Sequence, residues 1–460
     1  MLKRYAVLLS SFFAAGSSAL AGAPAAIDLS PASSEEWRVV YTAAEPVEAM
    51  SLWRVPDGSR AVSWTPDDAA FELVHEDGSD IIRRKDGAAF RKAGFVMKAR
   101  YVSLPKDYAP FSPFTDGGLL IYSGRFHACA GVGDCIAPSP DAALEWRVSV
   151  RPPKGARSIV HGKLHKGKTS FVDNDSGTNI YVGRTKPVES SHVIGVIDEA
   201  FPADARDALM TLLPKLLDLF TKKFGPLDAK PMLFASLDPY PPEGSGFNSQ
   251  GGTLPNQIFI HLYGEKWAEG AGEKLKGRLP WFFAHEAAHL FQRTREGGDW
   301  NMDQSWIHEG GADALAALAV TDLEAVTPDY VQARIGEALG VCASGLKKLS
   351  GKPLNASAEQ GAFENYYACG LLMQLAIDAE TKSASAGEKN LYDVWALFLD
   401  RVLSGAEWEQ EVFLGAASGL GATSAADFAR AIANEPLADP AAFLRAGLEK
   451  AGVATPKPKD

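Results

Sequence analysis

Up to about residue 190 the apolar positions come in short runs rich in Val, Ile, Trp, Tyr and Phe. Asp-Gly turn signals separate them at Asp57-Gly58, Asp77-Gly78, Asp86-Gly87 and Asp116-Gly117. Trp146-Arg-Val-Ser-Val150 alternates apolar and polar, as does the run around Tyr181. Period two with turn chemistry between runs predicts an antiparallel, sandwich-like β domain over residues 22–192. From about residue 195 the period lengthens. Pro202 opens a helical stretch, 203–224, closed by Gly225, and a strand follows at 232–237. A stretch rich in Pro and Gly then leads to Asn256–Tyr263, which alternates like a half-buried strand and is expected to pair with an extended substrate. Beyond residue 280 the pattern is helical, at 280–294, 306–322, 328–340, 360–381 and 390–403. The architecture read from the pattern is α+β and multidomain, with a mostly helical second domain over 193–460.

Composition narrows this picture. The 460 residues are 46% hydrophobic and 22% charged, which excludes collagen, low-complexity disorder and coiled coil as whole-chain descriptions. The formal charge is −11 and no block of Lys and Arg interrupts it, so nucleic acid is excluded as a partner. At the start, Lys3 and Arg4 precede an apolar run too short to span a bilayer, and Ala19-Leu20-Ala21 closes it with small residues. Residues 1–21 therefore read as a signal peptide that leaves no transmembrane anchor after processing; the protein is expected to be exported, periplasmic or secreted. Loss of two cations takes the charge from −11 to −13. In an oxidising compartment the four cysteines are expected to pair by proximity, Cys129 with Cys135 and Cys342 with Cys369, since no C-x-x-C pair suggests a thiolate metal site.

The chemistry is concentrated in Trp281-Phe-Phe-Ala-His285-Glu286-Ala-Ala-His289. Two His at i and i+4 lie on one helical face and can reach one ion, while Glu286 is placed to touch a water on that ion. The surrounding Ala, Phe and Trp bury the helix, and buried imidazoles call for a partner such as a metal. Twenty residues on, Trp306-Ile-His-Glu309-Gly-Gly-Ala-Asp313 opens a second apolar helix. Two helices joined by such a loop bring Glu309 to the His pair. One Zn2+ held by His285, His289 and Glu309 keeps a fourth position for water.

These motifs resemble the gluzincin metallopeptidases, with a thermolysin-like catalytic domain. They are most similar to the membrane-alanyl-aminopeptidase family and its glycyl-aminopeptidase relatives. The likeness extends over roughly residues 195–385. It implies that Tyr367, in Tyr367-Ala-Cys-Gly370, donates to an oxyanion, with Tyr366 as the neighbouring alternative. It also implies that Asp313 orients a ligand histidine. The family's amine-binding Glu has its counterpart stretch in Gly251-Gly252-Thr-Leu-Pro-Asn256, which holds no acid. Gly252 and Asn256 remain there as candidates for contact with the substrate backbone. The implied activity is hydrolysis of a peptide or protein substrate, aminopeptidase-like but without that acid. An endopeptidase and a non-catalytic peptide-binding protein on a peptidase fold are the alternatives.

Overall fold

A computed structural model describes residues 22–104, 107–136, 143–239, 246–292 and 302–455. The signal-peptide segment 1–21 lies outside the described residues. The chain forms two compact units. The first comprises residues up to Ala99 with Tyr122–Pro153 and Lys166–Thr178; the second comprises Arg100–Ile121, Lys154–His165 and everything from Asn179 on.

The first unit is built from two sheets. One has six strands, in the order Thr169–Asn174, Glu145–Val150, Ala26–Pro31, Glu36–Val47, Phe90–Lys98 and Thr65–Pro66. The other has four: Ala128–Ala130, Ala49–Leu52, Ser79–Arg84 and Phe71–Glu76. Pairing is antiparallel throughout except where Ile27–Leu29 runs parallel to Val148–Val150. The sheets meet where Trp146, fully buried, donates its indole N–H to Ala128 O at 3.0 Å. Cys129 and Cys135 are joined, closing the Gly-rich loop at one end of the smaller sheet.

The second unit has a five-stranded mixed sheet at its centre: Val188–Glu189, Ile194–Ile197, Met232–Asp238, Gln257–Tyr263 and Asn248–Leu254 in that order. One face carries Leu233, Ala235, Leu237, Ile258, Ile260 and Leu262 into a large helical core. The other carries Val196, Met232, Phe234 and Phe259 against Leu120, Ile159 and Tyr181 of a second five-stranded sheet and against Phe114 beside it. A single boundary at 192/193 does not describe this division. Strands such as Phe111–Pro113, Arg157–Val160 and Asn179–Gly183 belong to the second unit because their apolar side chains cover the back of its central sheet.

A second correction concerns the strand expected to take substrate. Gln257–Tyr263 is paired on both sides, parallel to Met232–Asp238 and antiparallel to Asn248–Leu254. Among the described residues the free edge on that side is Asn248–Leu254 instead. The two are joined by a two-residue turn, Pro255-Asn256, in which Asn256 takes a φ of 57°, as position i+2 of a type II turn requires. Asn256 O also accepts from Met232 N at 2.8 Å. The backbone of Asn256 thereby serves the turn.

The helices that matter for the site are Arg278–His289, Ser305–Asp322, Pro328–Lys348 and Glu364–Ala384. Cys342 and Cys369 are joined with Cα atoms 4.9 Å apart, tying the third of these to the fourth. Among the described residues no helix is long and apolar enough to cross a membrane.

Candidate metal centre

The motif helix begins after Gly277, where any Cβ would come within 2.0 Å of the Tyr330 ring. Pro280 falls in the first turn, where its missing N–H costs nothing. Residues Leu279, Trp281, Phe283, Ala284, Ala287 and Ala288 are buried, so the helix is fixed in rotation and turns His285 and His289 to one side. Glu309 arrives from the second helix, and the three groups form a cluster whose ligand atoms lie within 4.8 Å of one another. His285 Nε2 and His289 Nε2 are 3.0 Å apart, and Glu309 Oε2 is 3.5 Å from the first and 3.4 Å from the second.

The remaining ring nitrogens are already committed. His285 Nδ1 meets Asp313 Oδ1 at 3.0 Å and His289 Nδ1 meets Gln292 Oε1 at 2.6 Å. With each Nδ1 donating, both neutral rings turn an Nε2 lone pair inward, beside a carboxylate oxygen. Three lone-pair donors converging on one point repel each other unless a cation lies between them. Ligands 2.0–2.1 Å from a tetrahedral zinc stand about 3.4 Å apart, close to the three separations observed here. The donor set therefore fits a zinc ion. Without an ion the same carboxylates draw positive charge onto the cluster as protons. Burial works against charge on His285, but the hydrogen bond and charge of Asp313, with Glu309, hold its pKa well above the ordinary value. Burial would raise Glu309, yet the two histidines hold it well below the usual carboxylate range.

Around this cluster other side chains fix orientation. Asp313 Oδ1 also accepts from Trp281 Nε1 at 2.7 Å, so the carboxylate that holds His285 is itself held. Gln292 accepts from His289 and donates to His308 O at 2.9 Å, tying the motif helix to the second helix. Glu286 is 5% exposed, and burial raises its pKa. Thr253 Oγ1 donates toward Glu286 O at 2.9 Å and lies 3.2 Å from Glu286 Oε2. Thr253, Gln292 and Trp281 were not singled out as orienting groups from sequence. Only Gln292 and Trp281 carry a signal, at three residues past His289 and four before His285.

Tyr367 stacks on His285, ring centroids 5.9 Å apart, and its hydroxyl bonds to Glu309. Burial and the nearby Glu309 carboxylate raise its pKa well above that of a free phenol. Tyr366 turns elsewhere, donating to Asn355 O at 3.2 Å. The placement of Tyr367 rests on two glycines. A Cβ on Gly310 would lie 2.4 Å from Gly370 Cα, and one on Gly370 would lie 2.4 Å from Trp306 O. The helices Ser305–Asp322 and Glu364–Ala384 thus touch backbone to backbone, bringing Glu309 and Tyr367 together.

The edge strand completes the arrangement. Gly251 faces the motif helix: a Cβ there would come within 2.4 Å of the Phe282 ring and 2.5 Å of Glu286 Oε1. Gly252 points the other way, toward Tyr108 and Phe259. Of the two glycines it is Gly251 whose missing side chain leaves room beside Glu286.

No family model matches the chain, and no curated protein matches it. Solved structures do. An aminopeptidase N family protein from Idiomarina loihiensis has a TM-score of 0.57 at 12% identity, over 84% of this chain and 72% of that one. The M1 zinc metallopeptidase from Deinococcus radiodurans has a TM-score of 0.47 at 15% identity, over 91% and 95%. Native yeast LTA4 hydrolase has 0.49 at 11%, over 95% and 68%. At these identities the likeness is one of fold, and the fold is the one shared with the aminopeptidase N family protein.

Proposed function

We propose that this protein is a zinc-dependent peptidase that hydrolyses peptide bonds with Glu286 as general base. The observation that carries the reading is the convergence of His285, His289 and Glu309 on one point beside a buried glutamate and a buried tyrosine. A zinc ion in this cradle supplies Lewis acidity, acidifying water toward neutrality and polarising a carbonyl. Glu286, held by Thr253, takes the proton of the attacking water and returns it to the departing nitrogen. Its raised pKa suits a group that must both accept and release a proton. Tyr367 donates its hydroxyl hydrogen to the oxygen that becomes negative. The free edge Asn248–Leu254 offers backbone N–H and C=O groups to an extended peptide. That strand reads Asn-Ser-Gln-Gly-Gly-Thr-Leu and carries no carboxylate for a substrate ammonium, which favours cleavage away from a free amino end.

Two paired disulfides and the leader-like first 21 residues support an exported location, periplasmic or secreted. The test is Glu286→Gln. The purified wild-type chain should hold one zinc, and the variant should keep it while losing hydrolysis by about a thousandfold. A wild-type protein that takes up no stoichiometric metal overturns the reading, as does a variant that hydrolyses peptides at the wild-type rate.

A further inference from the structure

The free edge strand and the motif helix are matched along their length. On the strand, Ser249, Gly251 and Thr253 share one face, two residues or about 6.7 Å apart. On the helix, Arg278, Phe282 and Glu286 share one face, four residues or about 6 Å apart. The contacts pair them in order. Thr253 reaches Glu286, Gly251 sits under Phe282 and Glu286, and Ser249 Oγ accepts from Arg278 at 3.2 Å. The two elements thus run side by side in the same direction, and Arg278 marks one end of the seam where they meet.

That end is cationic. Arg278 is exposed and donates to Phe247 O at 3.3 Å as well as to Ser249. Among the described residues those contacts use two of its five N–H donors, and the others can serve a ligand. Lys274 Nζ stands 5.1 Å from the centre of the Phe247 ring. Neither cation is ion-paired with a carboxylate among the described residues, although the chain as a whole is acidic. Glu265, which also reaches this end, accepts from Gly246 N, and Glu273 is paired with Lys276.

These charges set a direction. A peptide lying on the edge strand can run either way, but an ammonium end brought to Arg278 and Lys274 is repelled and a carboxylate end is attracted. From Glu286 to Arg278 is eight helical residues, about 12 Å. An extended peptide advances about 3.3 Å per residue, and the arginine side chain spans part of the distance.

We propose that Arg278, backed by Lys274, receives the terminal carboxylate of short peptides cut two or three residues from their carboxyl end. The inference rests on the peptidase reading and adds its substrate class. The test uses matched hexapeptides ending in a free carboxylate or an amide, with the zinc-loaded full chain and product masses to place the cut. Amidation should lower kcat/KM about tenfold or more, the scale of a charge-assisted contact. Arg278→Ala should bring the acid-to-amide ratio to about one, and Arg278→Lys should restore part of it. Equal rates for acid and amide overturn the proposal while leaving the peptidase reading intact, and so does a preference that survives Arg278→Ala. If no peptide is cut, the peptidase reading fails. Titration of the same pair into the Glu286→Gln protein then decides: tighter binding of the acid, lost with Arg278→Ala, supports the carboxylate site, and equal binding overturns it.

Discussion

His127 in the strand-rich unit and His285 in the helical unit sit in similar surroundings. Both are buried, both lie about 3 Å from an aspartate oxygen, and both stack on an aromatic ring. For His127 these are Asp173 at 2.9 Å and Trp146 at 4.1 Å; for His285 they are Asp313 at 3.0 Å and Tyr367 at 5.9 Å. The difference is at the other ring nitrogen. His127 Nδ1 meets no hydrogen-bond partner among the described residues, whereas His285 Nε2 faces a second imidazole and a carboxylate. A buried His–Asp pair is therefore not in itself a site. What makes one is the convergence of further donors, one from the same helix and one from a second.

Three substitutions test that contrast. Tyr367→Phe removes the hydroxyl beside Glu309 but keeps the ring on His285. It should leave metal content unchanged and lower kcat about a hundredfold, read by steady-state hydrolysis. Asp313→Asn weakens the hold on His285 and should lower zinc affinity about tenfold, measured by competition with a chelator. The smallest effect on the site is expected from His127→Ala. Metal content and hydrolysis should not change, while buried Asp173, keeping only its Asn174 N–H contact, costs about 3 kcal/mol, seen as earlier thermal unfolding. A loss of zinc in that variant would break the comparison.

The histidine and glutamate motif was readable because helical spacing places i and i+4 together without any tertiary information. Glu309 was readable because a second apolar helix opens on it. Both disulfides followed from sequence proximity and are formed. Less was readable where contacts are made through space. Three stretches before residue 193 cover the back of the second unit's sheet, and short alternating strands look the same whichever sheet they join. Likewise Asn256–Tyr263 has the alternation of a half-buried strand, but alternation does not tell a central strand from an edge. The Pro255-Asn256 turn decides that, by folding Asn248–Leu254 onto its outside. Thr253 and Arg278 gain their positions only once that hairpin lies along the motif helix.

The contact between Gly310 and Gly370 also bears on how the two helices can move. Successive residues of a helix are 1.5 Å and 100° apart, so sliding one helix past the other carries a neighbouring side chain into the contact. The present register sets a bare surface of each helix against the other there. The helices can part, but they cannot shear and stay in touch. The ligand glutamate and the hydroxyl of Tyr367 therefore share a single alignment, and a thermal excursion that displaces one of them opens the whole joint.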